Sequence, residues 1–149
     1  MEYEIEVTVP ANTLASAPVT ETLKLDKGIL EEGWIYFPLG CVHMVLARAF
    51  HGQFQIAPMN RDGWLHGDGA RVPLASKYDM TGAPFYLVIK ACSPGTSNPH
   101  TITVHVGLNP AYVARPENVV VAQLKQIKGR LDVLQERADE MLKLGKELT

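Results

Sequence analysis

The stretch "EYEIEVTV" (Glu2–Val9) decides how the first part of the chain is interpreted, because its side chains alternate strictly in character. Every second position is apolar, and the positions between carry a carboxylate or a hydroxyl group. A period of two is the pattern of a β-strand with one buried face and one face in water. The segment therefore predicts a strand at the surface of a larger β-structure.

Comparable apolar segments follow up to residue 110, separated by turns rich in Pro, Gly, Asn and Asp. They predict roughly eight short strands, at the spacing typical of an antiparallel, jelly-roll-like β-sandwich. The apolar run "CVHMVLARAF" (41–50) is interpreted as a central strand that forms a hairpin with "QFQIAP" through His51–Gly52. "KYDMTGAP" is interpreted as a loop, and Trp34 is expected in the core.

The segment from Val119 to Leu148 has a different period. Its apolar and small residues recur at alternating spacings of four and three: Val120, Leu124, Ile127, Leu131, Leu134, Ala138, Met141, Gly145 and Leu148. A strict seven-residue repeat keeps one seam facing a partner helix only if the helices supercoil. The pattern therefore predicts a long helix in a coiled coil, with these positions as the oligomerisation seam.

The expected length of this helix supports self-association. About 30 residues form a rod of about 45 Å, whereas a β domain of this size is only about 30–35 Å across. Another copy of the same helix would cover the exposed seam. Leu at a, Ile at d and further apolar residues beside the seam favour a trimer over a dimer. A monomer whose helix folds back over a sheet is the alternative.

The predicted organisation is thus mostly β, with three parts. Residues 1–110 form the β-sandwich domain, residues 111–117 a linker, and residues 118–149 the C-terminal coiled-coil helix. Pro116 and Glu117 suit the first turn of a helix.

Composition excludes several classes of protein. The 149 residues are 46% hydrophobic and 20% charged, which is normal for a globular chain. The net charge of −2 comes with no basic cluster, so no nucleic-acid partner is expected. No apolar run approaches the roughly 20 residues that cross a bilayer, and no signal peptide is recognised. We expect no membrane partner, a soluble intracellular protein, and Cys41 and Cys92 as buried free thiols.

The loop "MNRDGWLHGDG" (59–69) is the candidate partner-binding loop, because loops on rigid sheets often carry binding surfaces. Its candidate residues are Asn60, Asp62, Trp64, His66 and Asp68. The oxygen-rich side chains form either a turn-rich loop or a weak cation site, and the spacing of an EF-hand is absent. Trp64 is either a plug over the edge of the sandwich or an exposed contact residue.

No catalytic signature is recognised. Cys41 and His43 would share a face of the presumed strand, as a nucleophile pair or half a zinc site would. No second pair of ligands accompanies them, and no nucleophile elbow, P-loop or dinucleotide-binding turn occurs. We therefore expect no enzyme activity, no catalytic residue, no metal and no cofactor.

The strand spacing from Glu2 to Leu108, the segment "FPLGCVHMVLARAFHGQFQIAPMNRDGW" and the attached helix together resemble a family of viral proteins. These are small virion structural proteins of tailed bacteriophages, particularly head-decoration and capsid-fibre proteins with a jelly-roll-like domain. The resemblance implies a homo-oligomer, typically a trimer, that is made in the host cytoplasm and decorates or stabilises a capsid in the virion. Its partner would be a capsid or other virion protein, and it would catalyse no reaction.

Two other functions are compatible with parts of the sequence. An oligomeric carbohydrate- or receptor-binding module would stack Trp64 on a sugar ring beside Asn60, Asp62 and Asp68. A cupin-type metal enzyme would need two histidines and a glutamate on adjoining strands, which the histidine spacing does not provide.

Overall fold

The computed structural model describes residues 1–110 and 116–148, and the side chains of all of these except 116–119. The chain divides into two compact units, Met1–Ala114 and Arg115–Thr149. The first is called the β unit below, and the second the helical unit.

The β unit contains ten described strands. They are β1 (Glu2–Val9), β2 (Val19–Lys24), β3 (Gly28–Phe37), β4 (Leu46–His51), β5 (Phe54–Ala57), β6 (Leu65–His66), β7 (Ala70–Pro73), β8 (Tyr78–Met80), β9 (Tyr86–Cys92) and β10 (His100–Pro110). All their pairings are antiparallel. The prediction of a mostly β chain built from antiparallel sheets is therefore confirmed.

The strands form two sheets. The first sheet has the order β1-β10-β3-β7, with β8 also paired to β3. The second sheet has the order β2-β9-β4-β5, with β6 also paired to β4. Successive strands from β1 to β4 alternate between the two sheets, so most neighbours within a sheet are distant in sequence.

Alternating side chains place the core between the sheets. Val7 and Val9 of β1 are completely buried, as are Ile102, Val104 and Val106 of β10. In β1 the intervening Glu4, Glu6 and Thr8 are exposed, as the alternation predicts. Burial of this apolar surface is the main favourable contribution to folding.

The expected strand over 41–50 is wrong in its first half. Residues 41–45 form a turn, closed by a hydrogen bond of 2.8 Å from the Met44 amide to the Cys41 carbonyl. Val42 and His43 have positive φ angles of 48° and 58°, which no extended strand allows. Only Leu46–His51 is β-strand, and its hairpin with Phe54–Ala57 is confirmed.

Three smaller expectations also need correction. The predicted loops at 59–69 and 77–84 contain the short strands β6 and β8, which complete the edges of the two sheets. Trp34 is half-buried on the outer face of the first sheet and is not in the core. Its neighbours in sequence, Gly33 and Ile35, take the inward positions, so alternation points Trp34 outward.

The helical unit contains α1 (Pro116–Glu147), which begins two residues before the predicted position 118. Most of the predicted linker, residues 111–115, lies outside the described residues, as does Thr149. The described part of the chain has no helix with the length and apolar character needed to cross a bilayer.

Candidate functional site

The candidate loop meets the turn at 41–45 through one carboxylate. Asp68 Oδ1 accepts hydrogen bonds from the backbone amides of Gly40 (2.8 Å) and Val42 (3.2 Å). The bonds from Val42 and Gly40 hold the pKa of the Asp68 carboxyl below its ordinary value, because they stabilise the charged form. Asp68 thus fixes the shape of the segment 38–45.

That segment has an unusual backbone. A β-branched residue such as Val42 rarely adopts a positive φ, and His43 follows it in the same left-handed region. Strained backbone of this kind persists where its surroundings hold it in place, and it is concentrated at functional sites. Here the carboxylate of Asp68 supplies the restraint.

The turn displays apolar side chains to solvent. Leu39 is 80% exposed and Val42 is 62% exposed, and Met44 projects beside them. No charged residue occurs between Glu32 and Arg48. The turn therefore presents exposed apolar side chains on a restrained backbone, beside the polar side chains of His43, His66 and Asp68.

His66 of the candidate loop pairs with His43 of the turn. Their Nδ1 atoms are 2.9 Å apart and the rings meet edge to face. One imidazole donates and the other accepts, so the bond exists when at least one of the two rings is neutral. This pair joins the loop to the turn at a second point.

Trp64 lies in a separate environment. The Arg48 guanidinium lies 3.8 Å from the centre of the indole ring, and Arg48 Nε donates a 2.8 Å hydrogen bond to the Gly63 carbonyl. Such a cation–π contact is favourable by about 0.5–2 kcal/mol. Trp64 is half-buried, and the guanidinium covers one face of the ring, which leaves a sugar only the other.

The remaining candidate residues, Asn60 and Asp62, belong to a local turn. The Gly63 amide donates to the Asn60 carbonyl at 2.9 Å, and Asp62 is exposed at the tip of this turn. The structure therefore brings His66 and Asp68 together with residues 40–43, and it places Trp64 with Arg48. A role for the five residues in binding a partner stays a prediction.

The two cysteines are free and buried, as expected. Burial raises the pKa of both thiols, and the charge of Asp68 adds to this effect at Cys41. A raised pKa makes the reactive thiolate scarce. Because residues 41–45 form a turn, the inference that Cys41 and His43 share a strand face is wrong: Cys41 is buried while His43 is exposed.

The described residues contain no group of three or more His, Cys, Asp or Glu side chains placed to ligate a metal ion. Sequence reasoning missed Leu39, Arg48 and the His43–His66 pair. A charge-free segment flanked by "PLG" was a usable signal for Leu39, since Pro and Gly mark turns.

Comparison with known proteins gives no further assignment: no protein-family model matches the sequence, and no curated protein is significantly similar to it.

Proposed function

We propose that this chain is a non-enzymatic structural protein that assembles as a homotrimer through α1 and decorates or stabilises a bacteriophage capsid. The observation that carries the proposal is the seam of α1. Its large apolar side chains are between 52% and 89% exposed: Val120, Leu124, Ile127, Leu131, Leu134, Met141 and Leu148. Contiguous apolar surface of this extent is typical of a protein–protein interface.

The period of the seam indicates what covers it. Ala138 and Gly145 are the small residues of the seam, and the spacings of four and three continue from Val120 to Leu148 without a proline. Knobs-into-holes packing against parallel copies satisfies such a repeat along its whole length. Several β units on one rigid stalk would bind a repetitive capsid surface with high effective concentration.

The strand order supports the jelly-roll part of the resemblance. Orders β1-β10-β3-β7 and β2-β9-β4-β5 arise because the chain crosses between the two sheets at six of the nine connections between successive described strands. Two interlocked Greek keys, the arrangement of a double-sheet jelly roll, produce such crossings. The apolar turn at 39–44 is the surface that we propose for the capsid contact, because it is exposed and held by Asp68.

The substitution Leu131→Asp tests the assembly. A charge in the seam would be buried without a partner in every copy, so we expect the trimer to dissociate to the 16.4 kDa monomer. Light scattering coupled to size-exclusion chromatography measures the mass, and the far-ultraviolet β signal should remain.

The matched control is Val133→Asp, which makes a similar change at a half-exposed position outside the seam. It adds the same negative charge to the helix outside the seam, and Val and Asp have similar helix propensities, so it should leave the trimer intact. An unchanged mass for Leu131→Asp, or a monomeric parent protein, would contradict the proposal. The capsid role requires in addition that peptides of this chain be found by mass spectrometry in purified phage particles.

A further inference from the structure

The outer face of the first sheet is acidic. Strand β1 directs Glu2, Glu4 and Glu6 outward, and β3 adds Glu32, all exposed. The only Lys or Arg side chain at the described outward positions of β1, β10, β3 and β7 is Arg71, which lies 4.4 Å from the ring centre of Trp34. We call this surface the acidic face.

The outer face of the second sheet has the opposite charge. In register across β2, β9 and β4, Thr20 pairs with Lys90 and Lys90 with Arg48, while Lys24 pairs with Tyr86. Their outward positions, all described, carry these three cations and no carboxylate. Glu21 of β2 is also exposed, but it has the parity of Leu23 and therefore lies on the other side of the strand. We call this surface the basic face.

These charges are not neutralised within the chain. On the acidic face, His105 contacts Glu2 and, at 3.6 Å, Glu4, and these contacts are ion pairs only when the imidazole is protonated. Lys24, Arg48 and Lys90 form no described ion pair with a carboxylate, and Glu6 and Glu32 form none with a cation. A face of each sign is therefore available to another molecule.

Both faces also carry half-exposed aromatic rings. Tyr36 and Trp34 lie on the acidic face, and Tyr86 and Phe50 lie on the basic face. Lys90 Nζ is 4.9 Å from the centre of the Phe50 ring, so this cation is held over an aromatic surface. Aromatic residues and arginine are enriched at the centres of protein interfaces.

We propose that the basic face of one copy of this chain docks on the acidic face of another copy. The complementary partner for each surface is present on the chain itself, and charge complementarity directs the encounter and fixes its orientation. The contact joins different surfaces of the two copies. Because the outer faces of the two sheets point in opposite directions, it does not close into a trimer and instead joins one assembly to the next.

This contact goes beyond the assembly through α1 and can be tested separately from it. The helical seam sets the mass of the oligomer formed through α1, whereas the acidic and basic faces set the association of these oligomers with one another. The first depends on apolar burial, and the second should weaken with salt, because exposed charges are screened.

The experiment is sedimentation velocity on the full chain at about 20 mM and about 500 mM NaCl, up to about 100 µM protein. At low salt we expect species larger than the oligomer formed through α1. At high salt their association should be weakened roughly tenfold or more. Two charge-reversed variants should each lose these larger species and keep the mass of the oligomer formed through α1. The first is Glu4→Lys/Glu6→Lys, and the second is Lys24→Glu/Lys90→Glu.

Mixing the two reversed variants provides the decisive observation. The first variant keeps its basic face and the second keeps its acidic face, and these two unaltered faces can dock on each other only when both variants are present, so larger species should return in the mixture alone. The control Lys27→Glu/Lys77→Glu changes the net charge by the same amount as Lys24→Glu/Lys90→Glu, but at two residues outside the strands. It should associate as the parent does.

The proposal is overturned if the parent protein shows no salt-dependent association under these conditions. It is also overturned if the mixture does not restore association, which would assign the two faces to molecules other than this chain. A monomeric parent that still associates through the faces would refute the helical trimer and leave this inference standing.

Discussion

The β unit and the helical unit expose their apolar side chains to very different extents. Every fully buried apolar side chain among the described residues lies in the β unit, between Val7 and Leu108. In α1, by contrast, the described apolar side chains are about half exposed or more. The β unit therefore has a core of its own, whereas the apolar side chains of the helix are exposed in the single chain.

This difference in exposure predicts which variants should affect the stability of the chain and which should affect its assembly. Substitutions in the β core should lower the free energy of unfolding of each chain. Substitutions in the helical seam should change the mass of the assembly and leave the β unit folded. Four further substitutions test this division.

The largest effect is expected from Phe37→Ala. Phe37 is fully buried between the sheets, and removing its ring deletes apolar contacts and leaves a cavity. The free energy of unfolding of the β unit should fall by about 3–5 kcal/mol, as measured by urea denaturation at constant protein concentration. Tyr36→Ala is the control, because Tyr36 faces outward from the same strand and should cost far less. Equal losses would mean that the region between the sheets is not the main source of stability.

An intermediate effect is expected from the same substitution at two glycines. At Gly28 a Cβ atom would collide with the backbone carbonyl oxygen of Asn109, so Gly28→Ala should lower the urea midpoint of the β unit. At Gly129 no other atom lies within 4 Å of the added Cβ. Gly129→Ala should therefore favour α1 by about 1 kcal/mol, seen as a higher melting temperature of the helical signal. A higher urea midpoint for Gly28→Ala would contradict the close packing of β3 against β10.

The smallest effect is expected from Asp68→Ala, which removes the carboxylate that accepts the Gly40 and Val42 amides. These two amides should exchange with solvent faster, while the denaturation midpoint of the core changes little. Nuclear magnetic resonance with hydrogen exchange measures both residues. Unchanged protection would mean that the turn holds its strained backbone without this carboxylate.

The same restraint should depend on pH in the parent protein. The folded pKa of Asp68 lies below its ordinary value, so the stabilisation is fully present above the unfolded pKa and is lost as pH falls through the folded one. The amide shifts of Gly40 and Val42 should titrate with a midpoint below that of an unperturbed aspartate.

Sequence reasoning found the strands whose burial alternates regularly. Strands β1 and β10 were recognisable because each has one wet face and one buried face, so local composition records their surroundings. The prediction of a strand at 41–45 was wrong, because the apolar composition of this turn matches that of a buried strand. The amides of Gly40 and Val42 in this bent segment donate hydrogen bonds to Asp68, which is more than 20 residues away in sequence.

The candidate site was only partly visible for the same reason. The loop residues His66 and Asp68 stood out through their chemistry, but their partners come from another part of the chain. His43 is 23 residues from His66, and no periodic pattern links them. Long-range pairing, which a single sequence does not display, set the geometry of the site.

The pairing of β1 with β10 has a consequence for the order of events during synthesis. Glu2 lies opposite Gly107, so the first strand cannot be completed into its sheet until nearly all of the β unit has left the ribosome. Pairings between such distant residues form slowly, and α1 is translated only afterwards. The helix that we propose to join copies of this chain is therefore translated after the β unit, which favours folding of each β unit before the chains associate.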